Sequence, residues 1–169
     1  MAKIANLLVT FDPTKAESAK AEILARLQEI KEAPAIAKID EGLAEVNVKD
    51  AKKAVTALKK LAVKNKDKFA STFKWIPVDV WCTAKIPDMQ KNVKELQKGI
   101  AEKDKWKIEI GRHKTELHER ELIIKLTEVI EKPNVDLSKP EKIIKVEIVK
   151  DKCAISLLKP EELLNVAKL

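Results

Sequence analysis

Residues Lys105 to Lys125 read KWKIEIGRHKTELHERELIIK, and the fold of the second half of the chain turns on this stretch. Trp106, Ile108 and Ile110 alternate with Lys107 and Glu109, the period of a strand with one buried face. Gly111 then predicts a turn, and a helix follows from near Thr115, running from Glu116 to Glu131. Lysine supplies nearly all of the positive charge, yet two of the three arginines, Arg112 and Arg120, fall here with both histidines, His113 and His118. Guanidinium groups are planar and offer many donors, and the first turn of a helix offers unpaired backbone N–H groups. A strand-to-helix junction of this composition suits phosphate, which reads as a nucleic-acid site rather than a catalytic one.

Downstream, Leu122, Ile123, Leu126, Val129 and Ile130 give the helix a buried face, while Leu117 and Ile124 lie nearly opposite and imply a second packing contact. The connector PNVDLSKP (133–140) leads to a strand in which Ile144, Val146 and Ile148 alternate with Lys145 and Glu147. A Lys150-Asp151-Lys152 turn returns the chain through Cys153 to Leu158, and Pro160-Glu161 predicts a terminal helix with acid in its first turn. Upstream, Pro87-Asp88 starts a helix with Met89, Val93, Leu96 and Ile100 along one side. Its Lys91, Lys94 and Lys98 form a charged stripe, either solvated or in salt-sensitive contact with phosphate.

The first half reads as a strand from Ile4 to Phe11, a helix opened by Asp12-Pro13, and two strands, Ala35–Ile39 and Leu43–Val48, around Asp40-Glu41-Gly42. A helix capped by Asp50 buries Ala54, Leu58 and Leu61, and a fourth strand spans Lys74–Thr83. That order is the split βαβ pattern of ferredoxin-like domains, βαββαβ with two helices on one sheet face. The fold class is therefore α+β, with a ferredoxin-like domain at 1–85 and a second module at 86–169. In the fourth strand Ile76, Val78, Val80 and Cys82 share the core parity. Trp75 and Trp81 then face away from the helices, to stack on bases or bury against a neighbouring module. An RNA-recognition motif is excluded because the third strand, GLAEVNV, has no aromatic residue.

At 169 residues, 45% apolar and 36% charged, the chain has the make-up of a globular protein of one or two domains. A net charge of +7 favours a polyanionic partner. Residues 1–85 carry 16 Lys+Arg against 11 Asp+Glu, and residues 86–169 carry 18 against 16, so the first half is the more basic. The lysines of residues 52–68 are accordingly a further source of RNA affinity. Cys82 and Cys153 are far apart and belong to no CxxC pair, which predicts reduced thiols and no zinc ribbon. The apolar run Ile4–Val9 is too short to span a membrane and lacks a signal-peptide pattern, so a reducing cytoplasm is the expected location.

No catalytic chemistry is legible. The three glycines, Gly42, Gly99 and Gly111, form no phosphate loop, and His113 and His118 are five apart with no cysteine beside them. Neither Ser156 nor Cys153 has a base positioned by the sequence. No metal, cofactor, small-molecule substrate or membrane contact is expected.

The stretch from Asp88 to Leu164 resembles the THUMP domain, an RNA-binding module of thiouridine synthases, RNA methyltransferases and pseudouridine synthases. The resemblance is carried by DMQKNVKELQKGI, by WKIEIGRHKTELHERELIIKLTEVI, by VDLSKP with EKIIKVEIV, and by CAISLL. A ferredoxin-like domain before the module also fits that family. With no catalytic domain after Leu169, the chain looks like the stand-alone THUMP proteins of archaea and eukaryotes. Those are similar to the tRNA-binding partner of the tRNA cytidine acetyltransferase. The resemblance implies a non-catalytic adaptor that binds tRNA and presents it to a separate modifying enzyme. It implies RNA contacts at Lys107, Arg112, His113, Lys114 and Arg120, with Lys139 in the VDLSKP loop. A protein-interaction subunit that uses Trp75 and Trp81 on the ferredoxin-like sheet is the alternative.

Overall fold

A computed structural model of the chain describes residues 4–169. β1 (Leu7–Phe11) ends at Asp12, whose carboxylate accepts from the Thr14 backbone N–H at 2.9 Å and opens a short 3₁₀ turn. α1 (Ala16–Glu29) follows, burying Ala19, Ile23 and Leu27, four residues apart on one face. β2 (Ala35–Asp40) and β3 (Leu43–Asn47) form a hairpin in which Gly42 takes φ +90°, the left-handed conformation glycine adopts without a Cβ penalty. α2 (Ala51–Lys64) is capped by Asp50, which accepts from Lys53 N–H at 3.1 Å. β4 (Thr72–Pro77) gives the order β2-β3-β1-β4 with every pair antiparallel, as the split βαβ pattern requires, and a fifth strand from the C-terminal segment pairs with β4.

The expected single strand Lys74–Thr83 is two strands in different sheets. Pro77 has no N–H to continue a ladder. Val78 N–H makes the last bond of the first sheet, to Asn6 O at 2.8 Å, and Asp79 N–H donates to Ile155 O in the second at 3.2 Å. β5 (Val80–Thr83) thus belongs with the second half. The parity reading fails with it. Trp75 pairs with Val9, so it faces the core under α1 and α2, fully buried, edge-on to Phe69 with ring centroids 6.0 Å apart. Its indole N–H donates to Thr72 Oγ1 at 3.0 Å, which satisfies its one polar atom. It is closed to bases and to partners.

The second sheet is ordered β5-β8-β7-β6. α3 (Ile86–Leu96) buries Met89 and Val93, and β6 (Trp106–His113) runs through Gly111 instead of turning there. α4 (Glu119–Thr127) is shorter than expected at both ends, burying Leu122 and Leu126 while Ile123 is 37% exposed. β7 (Lys142–Val149) is parallel to β6, and β8 (Lys152–Leu158) is antiparallel to β7 and β5. Ile144, Val146, Ile148 and Ile155 join Met89, Val93 and Leu122 in one core. The expected terminal helix is instead a 3₁₀ turn, the short strand β9 (Leu164–Asn165) and a second 3₁₀ turn.

The chain divides into a unit ending at Val78 that takes back Glu161–Leu169, and a unit of Asp79–Pro160. These bounds differ from a cut after residue 85. Leu164 pairs with Trp75, and Leu164 and Val166 are buried in the first core, which draws the C-terminal segment back to it. β5 moves in the other direction.

Candidate nucleic-acid interface

Parallel pairing brings the C-terminal ends of β6 and β7 to one edge of the second sheet. His113 lies opposite Val149, and the Lys150 N–H donates to His113 O at 2.9 Å. Both chains turn away at once: Lys114 and Lys150 take φ values of 55° and 59°. The left-handed conformation costs a non-glycine residue about 1–2 kcal/mol, offset here by the short turns it permits. Lys114 and Lys150 are both exposed and so stand together on one rim. β8 begins beside them, and Lys152 Nζ lies 4.9 Å from the Trp81 ring centroid, a cation–π contact.

Arg112 is exposed, and its Nη1 donates to Leu117 O at 2.9 Å, tying the loop that leads into α4. Thr115 Oγ1 accepts from Leu117 N–H within that loop at 3.3 Å. Arg120 is exposed in the first turn of α4. Arg112, Lys114, Lys150 and Lys152 therefore gather where two parallel strands end, the place where open sheets leave a crevice for ligands. Glu116, Glu119, Glu121 and Asp151 lie in the same segments and dilute the field.

Behind this rim runs a ladder of opposite charges crossing between β6 and β7. Glu147 Oε2 is 2.7 Å from His113 Nε2, and Glu147 Oε1 is 2.9 Å from Lys145 Nζ. Lys145 lies 3.9 Å from Glu109, and Glu109 is 3.0 Å from Lys107. Lys145 and Glu147 are both about 2% exposed, where alternation with Ile144, Val146 and Ile148 predicted a polar face. Burial pushes the Glu147 carboxyl upward, but the His113 hydrogen bond and the charge of Lys145 outweigh it and hold the group below its ordinary value. Gly111 is part of this arrangement, since a Cβ there would meet the Glu147 carboxylate. It serves close approach and makes no turn.

The six residues expected to contact RNA thus separate. Arg112, Lys114 and Arg120 are exposed around the β6–α4 junction, whereas Lys107 and His113 engage Glu109 and Glu147. Lys139 is exposed but belongs to a loop at the N-terminal end of β6. There Asp136 accepts from Ser138 and Lys139 N–H groups, and Asp136 N–H donates to Trp106 O. At about 3.3 Å per residue, β6 puts some 20 Å between that loop and Arg112. Lys150 and Lys152 read in the sequence only as a turn, and it is parallel pairing of β6 with β7 that brings them to this edge.

Among the described residues no cluster of three or more His, Cys, Asp or Glu side chains could hold a metal ion, and no helix is long and apolar enough to cross a membrane.

Residues 83–158 match the family model of the THUMP domain. No curated protein sequence matches the chain. Among solved structures, PH1313 from Pyrococcus horikoshii Ot3 superposes with a TM-score of 0.62 at 17% identity, over 92% of this chain and 55% of that one. TrmN from Thermus thermophilus gives 0.57 at 12% identity, over 92% and 46%. A possible methylase from Clostridium difficile 630 gives 0.59 at 15% identity, over 92% and 41%. These likenesses show a shared fold, and the chain spans about half the length of the proteins it matches.

Proposed function

We propose that the chain, whose residues 83–158 match the THUMP family model, is a cytoplasmic tRNA-binding adaptor that presents tRNA to a separate modifying enzyme. Cytidine acetylation is the modification favoured. The observation that carries this reading is the basic rim within that domain, where Arg112, Lys114, Lys150 and Lys152 converge at the ends of β6 and β7. Cationic side chains on a strand-end rim contact phosphate and fix the register of an RNA, leaving its choice to shape. The fixed Arg112–Leu117 contact orders this loop before RNA arrives, which lowers the ordering cost of binding. The rim supplies contacts to a backbone. The reacting groups belong to the partner, an acetyltransferase-like enzyme.

The assembly-subunit alternative drew on two outward-facing tryptophans. Trp75 is fully buried, and Trp81 is half-buried under Lys152.

Gel-shift titration of the chain with total tRNA and with duplex DNA of equal length tests RNA binding, with tRNA expected to bind more tightly. Arg112→Ala with Lys114→Ala is expected to weaken tRNA binding by about tenfold or more, since charged hydrogen bonds contribute about 1.5–3 kcal/mol each. Equal binding by this variant and the parent would overturn the site. Acetylation assays on tRNA with the enzyme alone, the chain alone and both together test the adaptor role. Product from the chain alone would overturn it.

A further inference from the structure

Outside residues 83–158, one helix carries charge of a single sign. α2 contains five lysines and no acidic residue, in a chain of net charge +7. The other helices are balanced or acidic. α1 sets Glu17, Glu22 and Glu29 against Lys20 and Arg26, α3 sets Asp88 and Glu95 against Lys91 and Lys94, and α4 sets Glu119 and Glu121 against Arg120 and Lys125. With 3.6 residues per turn, the five lysines of α2 fall within an arc of about 140°. The opposite arc holds the buried Ala51, Ala54, Val55, Leu58 and Ala62. Lys53, Lys60 and Lys64 on the outer arc are exposed.

Lys60 and Lys64, four apart, repel each other along the helix, a cost that a glutamate at either position would turn into a gain. α1, α3 and α4 all carry such acids. Two shallow concavities border the lysine face, one lined by Thr56, Lys59, Lys60 and Lys64, the other by Lys52, Lys53, Thr56 and Lys60 with the capping Asp50. Glu161 stands at the edge of the first and Glu162 at the edge of the second. A membrane surface is a poor match, because the apolar side of α2 is committed to the core and Val63 is the one large apolar side chain of the helix exposed beside the lysines.

We propose that the lysine face of α2 is a second phosphate-contact surface, engaging another part of the backbone of the same RNA. This rests on the RNA-binding reading of the THUMP domain and extends it to the ferredoxin-like unit. Lysines are point charges without the planar fork of arginine, so this face adds affinity without base choice. Successive exposed lysines, at 53, 60 and 64, are spaced by whole turns, about 10 and 6 Å along the axis.

The test compares the full chain with two variants, Lys53→Gln/Lys60→Gln/Lys64→Gln and Arg112→Ala/Lys114→Ala, by fluorescence titration with labelled total tRNA at several salt concentrations. Each lost phosphate contact reduces the slope of log K against log[salt] by about 0.7–0.9, so the α2 variant is expected to be shallower by about two. Its low-salt affinity is expected to fall at least tenfold, equally for unrelated RNAs of one length. Thermal unfolding of that variant is expected at the parent temperature or above, which separates lost contacts from lost structure. A parental slope and affinity in the α2 variant, with loss in the Arg112/Lys114 variant, would overturn this inference and leave the THUMP reading standing. Absence of tRNA binding by the parent at low salt would overturn both. Unchanged tRNA binding by the α2 variant with loss of polyglutamate binding would assign the face to an acidic protein and also overturn it.

Discussion

The carboxylate of Glu147 occupies the space in which a side chain on Gly111 would begin: a Cβ built there would overlap both carboxylate oxygens. Glu147 cannot simply move aside, because His113 and Lys145 hold its two oxygens at 2.7 and 2.9 Å in a buried setting. Gly111→Ala is therefore expected to destabilise the fold by about 3 kcal/mol or more, the range for overpacking combined with a disturbed buried ion pair. Urea unfolding of the variant measures this. A loss below about 1 kcal/mol would show that the ladder yields easily.

The same carboxylate makes stability depend on acid. Its pKa in the fold lies below the ordinary 4.5, so the folded state binds fewer protons there than the unfolded chain. Its contribution is complete above about pH 4.5 and is lost as pH falls through the lower folded value. Unfolding free energies measured from about pH 6 to pH 3 should fall more steeply for the parent than for Glu147→Gln, which has no proton to gain. The variant should be the less stable of the two near neutrality, since it leaves Lys145 buried with only Glu109, at 3.9 Å, as an opposite charge. Parallel curves would show that other carboxylates carry the acid sensitivity.

What the sequence disclosed and what it hid follow from the reach of each interaction. Asp12-Pro13, Asp50 and Gly42 act within a few residues, and each sits where local chemistry placed it. Periodicity also found the stripe that buries Met89 and Val93. A single parity run across Val78-Asp79, where the strand changes sheets, puts Trp75 on the wrong face. Gly111 reads as a turn because its partner, Glu147, is distant in sequence. Lys145 and Glu147 passed for solvent-facing residues because they neutralise each other only once β6 and β7 pair in parallel. The basic rim suffered the same way: Arg112 and Lys114 were visible in one stretch, but Lys150 joins them only through tertiary pairing.

Cys82 and Cys153, far apart in sequence, are cross-strand partners in the β5–β8 ladder. The hydrogen bond between the two side chains holds Cys153 as a thiol far above its usual range, with burial adding to the effect, and lowers Cys82. The thiolate is the nucleophile, and Cys82 is the more accessible of the two. Iodoacetamide at mildly alkaline pH is thus expected to label Cys82 first in the folded protein and both residues after denaturation, as read by peptide mass spectrometry. Equal labelling rates in the folded state would contradict the buried, proton-holding position of Cys153.

The geometry also separates lysines that a reading along the chain treats alike. Lys150 stands beside Lys114 at the ends of β6 and β7, linked through the Lys150 N–H to His113 O, while Lys139 is held by the Asp136 loop at the start of β6. If one phosphate backbone crosses the rim, Lys114 and Lys150 face neighbouring parts of it and their losses should be coupled. Double-mutant analysis of tRNA affinity is expected to give a combined Lys114→Ala/Lys150→Ala effect that departs from the sum of the single effects by about 0.5 kcal/mol or more. Lys139→Ala combined with Lys114→Ala should add within about 0.3–0.5 kcal/mol, because some 20 Å of strand lies between them. Coupling of Lys139 with Lys114 as strong as that of Lys150 would mean that the RNA is organised by the length of β6 and not by its C-terminal edge.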